Sequence, residues 1–205
     1  MKSNPLITTV WNYKGGVGKS TISLIIAEIA AQKGLHVLAV DLDAQATLAH
    51  TLSLSAKLFP RIEIKNALPS HDVCMKYDII VIDTHQSTDR ATADALAFAD
   101  IVVIPIYADY NSLINLRSAW DFVNSVKNNS AHVALVKNCI TTLKLTADVE
   151  ETLDIQGYPI AGRLPRSNII MKNIALGLQW DKSMRDVQKM KFIELFNNVT
   201  RLKHV

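Results

Sequence analysis

A chain of 205 residues with 49% apolar and 20% charged side chains is long enough to bury one substantial core without metals or disulfides, and its balance is that of a soluble globular protein. The formal net charge of +3 permits contact with nucleic acid or anionic lipid without demanding it, and the two cysteines, Cys74 and Cys139, fit neither a metal-ligand spacing nor a disulfide framework. No apolar run approaches the ~20 residues of a membrane span and no signal-peptide pattern precedes the first strand, so a cytoplasmic location is expected.

The β-branched run Leu6-Ile7-Thr8-Thr9-Val10-Trp11 predicts a strand. It leads through Lys14-Gly15-Gly16-Val17-Gly18-Lys19-Ser20-Thr21 into an apolar helical pattern that ends at Lys33-Gly34, a basic residue followed by a glycine stop. A buried strand over 36–41 and a short helix near 46–54 follow. Residues 55–76, broken by Pro60 and Pro69, read as irregular with room for one short helix or an edge strand. Strands are then expected at 77–83, 100–105, 132–138 and 158–164, and helices at about 90–99, 112–127, 147–156, 167–176 and 183–203. Nearly continuous apolar strands alternating with helices predict an α/β fold, with a mostly parallel twisted sheet covered by helices on both faces. No repeat, linker or low-complexity tract divides the chain, so residues 1–205 are expected to form a single domain.

Strand, glycine loop and helix in that order form the context of a phosphate-binding P-loop. Glycines let the backbone curl so that its N–H groups face an anion, and the helix N-terminus adds its positive dipole end. In this reading residues 14–21 cradle the phosphates of a nucleotide, Lys19 reaches the β- and γ-phosphates, and the Ser20 hydroxyl ligates Mg²⁺. Tyr13 stands where the usual pattern has its first glycine, and a second lysine, Lys14, sits inside the loop. Two acids, Asp41 and Asp43, follow the second strand, and Asp83 ends the strand at 77–83. Carboxyl ends of parallel strands are where ligands bind in such sheets, although acids there also cap helices.

The loop resembles the deviant Walker A motif of the ParA/MinD family of P-loop ATPases, whose signature is the first lysine, here Lys14. The resemblance implies a deviant Walker A P-loop fold, ATP and Mg²⁺ as cofactors, and a slow Mg²⁺-dependent ATPase. It also implies a homodimer in which Lys14 crosses to the nucleotide of the other subunit and joins Lys19 in stabilising charge. Asp41-Leu42-Asp43-Ala44-Gln45 is similar to the family's first switch, with Ala44 in place of the usual proline. By that likeness Asp43 positions or activates the attacking water and Asp41 lies near the Mg²⁺ shell. Asp83 corresponds to the Walker B aspartate, holding Mg²⁺ through water. The second switch, commonly Thr-Pro-Pro-Ser, reads Thr84-His85-Gln86-Ser87, which puts its stiffness in question. His85 reads as a loop histidine, and Gln86 as a residue able to orient water. Asn138 resembles an asparagine that touches the adenine edge, although asparagine after a strand is also a routine turn residue. Leu164-Pro165-Arg166 resembles the stretch that packs beside the base.

The likeness is closest to the short plasmid-type ParA proteins, because the chain leaves no room for an N-terminal DNA-binding region ahead of the loop. It implies non-specific DNA binding by the ATP dimer, nucleoid association in that state, and release when a ParB-type partner stimulates hydrolysis. Among the C-terminal cations, Lys172, Arg185 and Lys189 are the candidates for DNA phosphates. The alternative outputs are a MinD-like membrane-associated ATPase and a ParA-like positioner of non-DNA cargo. Val187, Met190, Ile193, Phe196 and Val199 recur at helical spacing, but Phe192, Leu195 and Leu202 widen the stripe to one that suits the domain core better than a lipid surface.

Overall fold

The computed structural model describes residues 4–107, 109–140, 144–168, 172 and 186–204. Seven strands run β1 (Leu6–Val10), β2 (Val37–Asp41), β3 (Ile62–Lys65), β4 (Ile79–Asp83), β5 (Ile101–Tyr107), β6 (His132–Ile140) and β7 (Ile160–Pro165). They form one sheet in the order β3-β2-β4-β1-β5-β6-β7, with every pair parallel. The helices are α1 (Lys19–Gln32), α2 (Thr47–Leu54), α3 (His71–Cys74), α4 (Arg90–Phe98), α5 (Tyr110–Val126), α6 (Lys144–Ile155) and α7 (Asp186–Arg201).

Successive strand residues face opposite layers, and both layers are apolar. In β4, Ile79 and Val81 pack with Ile25 and Ile26 of α1 and with Phe192 and Leu195 of α7. Ile80 and Ile82 turn the other way, towards Leu38, Val40 and Ala95 of α4. Farther along that layer, Val102 and Ile104 meet Leu116 and Val123 of α5 and Val149 of α6. Each such side chain contributes about 1.5–3 kcal/mol on burial, so the expected three-layer α/β class has a direct energetic basis. The broad stripe on α7 is spent on this core. Phe192, Leu195, Phe196 and Val199 are buried, while Val187 and Met190 at the helix start stay exposed. Among the described residues, no helix is long and apolar enough to cross a membrane.

Residues 55–76 hold both alternatives at once, the edge strand β3 and the one-turn helix α3. Ile62 and Ile64 of β3 pack against the α1–α2 cluster of Leu24, Leu48 and Leu52, whereas Glu63 and Lys65 point outward and leave the edge charged. Four residues with two outward charges are too short a pattern to announce a strand. Helix α5 starts two residues earlier than its apolar periodicity suggests, because Asp109 caps it and accepts the Ser112 N–H at 2.6 Å. The helix expected over 167–176 lies almost wholly outside the described residues.

Two registers position the site. Val10 of β1 and Asp41 of β2 both pair with Asp83 of β4, so the three strands end level with one another. Strand β1 lies between β4 and β5, where the direction of winding reverses, and a crevice opens at the carboxyl ends of such a switch point.

Candidate functional site

The glycine loop leaves β1 at Trp11, which is fully buried and packs on Tyr13 and Phe122. Asn12 then ties the loop to the sheet. Its Nδ2 donates to the Pro105 carbonyl at 2.8 Å, and its Oδ1 accepts the Lys14 N–H at 2.8 Å. Gly16 and Gly18 have φ of 75° and 94°, the left-handed region where a side chain costs roughly 1–2 kcal/mol. Gly18 then caps α1, so the N-terminus of that helix faces the loop.

Lys19 begins α1 and is only 9% exposed. Burial pulls its pKa down, while the carboxylates of Asp83 and Asp43 act in the opposite direction. Asp83 is fully buried, and burial pushes its carboxyl up to about 7, with Asp41 adding to the effect. Hydrogen bonding from Ser20 and Ser23 and the nearby Lys19 ammonium oppose that rise. Ser23 Oγ donates to Asp83 Oδ1 at 3.0 Å, while Oδ2 has no geometrically sound hydrogen bond among the described residues. A buried carboxylate with one oxygen unspent, next to the Ser20 hydroxyl at a helix N-terminus, fits a Mg²⁺ ion held together with nucleotide phosphates and water. Among the described residues no group of three or more His, Cys, Asp or Glu could hold a metal alone, so the phosphates would be integral to such a site.

Asp41 and Asp43 play different parts. Asp41 is buried and its two oxygens accept backbone N–H groups, from Asp43 at 3.1 Å and from Ala49 at 2.9 Å. It therefore braces the turn and the start of α2, and it sits level with Asp83 across the β2–β4 register, where the Mg²⁺ shell is expected. Asp43 is half-buried, and its Oδ1 accepts the Gln45 N–H at 2.9 Å. The turn closes on Ala46 with φ 49°, a left-handed alanine. A cavity of about 500 Å³ opens beside this turn, lined among others by Asp41, Asp43, Ala46, Lys65 and Asn66.

Lys14 lies apart from Lys19. Its ammonium donates to both oxygens of Asp109 at 3.1 Å and to Ser112 Oγ at 3.0 Å. Burial raises the Asp109 pKa, but the Ser112 N–H and the Lys14 ammonium outweigh it and hold the carboxyl below its usual range. Tyr110 and Ile114, on the first turns of α5, are 56% and 73% exposed. The sequence does not announce the pairing of Asp109 and Ser112 with Lys14. Their Asp-x-x-Ser spacing reads as a helix cap, and nothing local points to a lysine 95 residues away.

Asn138 lies near the end of β6 with its carboxamide turned onto the glycine loop. Nδ2 donates to the Val17 carbonyl at 2.8 Å and Oδ1 accepts the Cys139 N–H at 2.9 Å. A side chain at Gly18 would collide with this amide, whose Cγ would lie 3.5 Å from the added Cβ. Cys139, with φ 54°, sits in the register shift between β6 and β7. Here the asparagine braces the loop, in addition to the base-edge role expected of it. Tyr107 Oη donates to the Gly16 carbonyl from the other side. Leu164 is buried in the core, Pro165 pairs with Ile140, and Arg166 is exposed. Of the three cations expected on DNA, Lys172 is exposed, Lys189 is half-buried on α7, and Arg185 lies outside the described residues.

A family model described as the CobQ/CobB/MinD/ParA nucleotide-binding domain matches residues 8–180. The chain is 24% identical over 198 residues to the cell division protein PomZ of Myxococcus xanthus, a match covering 72% of this chain and 62% of that relative's own length. It is 28% identical over 191 residues to the maintenance of carboxysome distribution protein A of Halothiobacillus neapolitanus, covering 84% of this chain and 85% of the relative. A plasmid partition protein from Borrelia burgdorferi has the same fold, with a TM-score of 0.73 at 21% identity over 99% of this chain and all of that one.

Proposed function

Because the chain belongs to the CobQ/CobB/MinD/ParA family of nucleotide-binding domains, we propose that it is an ATP-driven dimerisation switch for DNA partition. The ATP dimer binds DNA without sequence preference, and hydrolysis stimulated by a ParB-type partner releases it. The observation that carries this reading is the separation of the two loop lysines. Lys19 is enclosed among the acids of its own chain, whereas Lys14 is held by Asp109 and Ser112 on a face that also presents Tyr110 and Ile114. Pairing of two copies over their nucleotides exchanges the Asp109 carboxylate for the phosphates of the facing subunit and covers the two apolar side chains.

Within each site, residues 14–21 hold the phosphates, Asn138 and the Leu164–Arg166 stretch border the base, and Ser20 and Asp83 hold Mg²⁺. The metal, when bound, neutralises phosphate charge and fixes its geometry. Asp43, set in place by Asp41, orients the attacking water. Lys172, Arg185 and Lys189 supply cations to the DNA backbone, which places the working protein on the nucleoid. Burial of the α7 stripe in the core favours DNA over lipid as the surface that is read.

The test is retention on random duplex DNA beside pelleting with anionic vesicles, each with ATP and with ADP. ATP-dependent, salt-sensitive DNA retention is expected, with an Asp43→Ala protein that dimerises and stays on DNA because it hydrolyses poorly. Vesicle pelleting without DNA retention would reject the partition reading in favour of a MinD-like one. Positioning of a non-DNA cargo by the same DNA-bound dimer is separated by the partner protein that co-purifies with the ATP state.

A further inference from the structure

The segment between β4 and α4 departs from its family at the pair His85-Gln86, and the structure shows what replaces two prolines. Thr84 Oγ1 donates to the Val10 carbonyl at 2.9 Å. His85 Nε2 lies 3.1 Å from Asp89 Oδ2, and its Nδ1 is 3.5 Å from Thr92 Oγ1. Asp89 in turn caps α4, accepting the Thr92 N–H at 3.0 Å. The Ser87 carbonyl accepts the Trp11 indole N–H at 2.9 Å, and Ser87 Oγ is 3.4 Å from Thr92 Oγ1. Side-chain hydrogen bonds thus fix the segment on both sides of one residue, Gln86.

Gln86 is exposed, yet its carboxamide is laid over the glycine loop at Gly15. A Cβ added at Gly15 would fall well inside contact distance of Oε1, with Cδ at 3.4 Å and Nε2 at 3.8 Å. Gly15, unlike Gly16 and Gly18, does not have a left-handed backbone. Its lack of a side chain serves space, and the space is taken by Gln86. Gly15 follows Lys14 directly and belongs to the proposed phosphate cradle, so the amide lies against one side of that cradle.

We propose that Gln86 is the water-positioning residue of the second switch, an inference that rests on the ATPase reading above. In that reaction the water oxygen bonds to the γ-phosphorus as the bond to the β,γ-bridging oxygen breaks. The electron pair leaves on ADP, and the water proton passes to the Asp43 carboxylate and on to the phosphate. A carboxamide both donates and accepts. Oε1 takes a hydrogen bond from the water and Nε2 gives one to a γ-phosphate oxygen, with no proton gained or lost. Glutamines do this in other P-loop hydrolases, and here the residue is held by a stapled loop.

The experiment is single-turnover ATP hydrolysis by the full chain, with ATP affinity by calorimetry and a thermal melt for each variant. Gln86→Ala and the equal-sized Gln86→Glu are both expected to slow turnover on the order of 100-fold, as misplaced reactants do, with ATP affinity within about threefold for Gln86→Ala. Gly15→Ala should slow turnover by displacing the amide, and should add little further loss in the Gln86→Ala background. Unchanged turnover in a folded, ATP-binding Gln86→Ala protein would overturn the proposal, as would a Gly15→Ala loss of equal size in both backgrounds. A wild-type chain that turns over ATP no faster than its Asp43→Ala variant would instead reject the ATPase reading itself.

Discussion

Lys14 and Lys19 share one loop but not one environment. Lys19 is buried at the root of α1 and its charge is supported by Asp83 and Asp43 from two other strand ends. Removing a buried charge from such a set leaves its partners uncompensated, which costs several kcal/mol. Lys14 keeps 27% of its side chain exposed and faces Asp109 at 36%, and pairs of that kind contribute only about 0–1 kcal/mol. Lys19 is therefore a fixture of the fold and Lys14 is exchangeable. A switch needs both kinds. Phosphate must be gripped by something that does not move, and a second subunit must be met by something that gives up its present partner cheaply.

The comparison can be broken most forcefully at Lys19. Lys19→Ala should weaken ATP affinity by about 100-fold or more, given the cost of emptying a buried cation position; calorimetry showing tight binding would end the distinction. Lys14→Ala should behave differently, keeping ATP affinity within about threefold while the ATP-dependent dimer disappears from size-exclusion profiles and turnover drops on the order of 100-fold. The converse change sharpens the contrast. Asp109→Asn removes the holding charge from both subunits, so the ATP dimer should assemble at up to about 30-fold lower protein concentration, the equivalent of two pairs contributing about 1 kcal/mol each. The smallest effect is one of pH. The Asp109 carboxyl titrates below its ordinary range in the folded chain, so its pair with Lys14 is present above that range and is lost only as pH falls through the lowered value. Dimerisation measured between pH 5 and 8 should therefore show no step from this pair, and the wild type should approach Asp109→Asn only in more acidic solution.

Much of the fold was legible because it is written in long, local patterns. Ile79-Ile80-Val81-Ile82 can be buried on both faces only within a parallel sheet, and glycine, lysine and hydroxyl at fixed spacing after a strand have few other uses. Asp41 and Asp83 were equally readable as acids at strand ends. What the sequence does not announce is how side chains are spent across long separations. Asp41 uses both oxygens on its own turn, Asn138 reaches back 121 residues to the Val17 carbonyl, and Gln86 fills the space that Gly15 leaves. The last two are contacts between residues distant in the chain, and no spacing rule encodes them. The edge strand β3 was obscure for a different reason, since four residues with alternating charge resemble any polar loop.

The indole of Trp11 has a use beyond packing. It is fully buried, packed edge-on to Tyr13 and tilted against Phe122, and its single N–H is donated to the carbonyl of Ser87 in the segment between β4 and α4. Any rearrangement of that segment breaks the bond and leaves the ring in a dry setting, which alters the wavelength and yield of its emission. Trp120, half-buried on α5 against Tyr158, and Trp180 add emission of their own, which a Trp11→Phe variant separates from that of Trp11. If that segment rearranges with nucleotide, as the proposed switch requires, Trp11 emission reports it and stopped-flow fluorescence can time the change without a label.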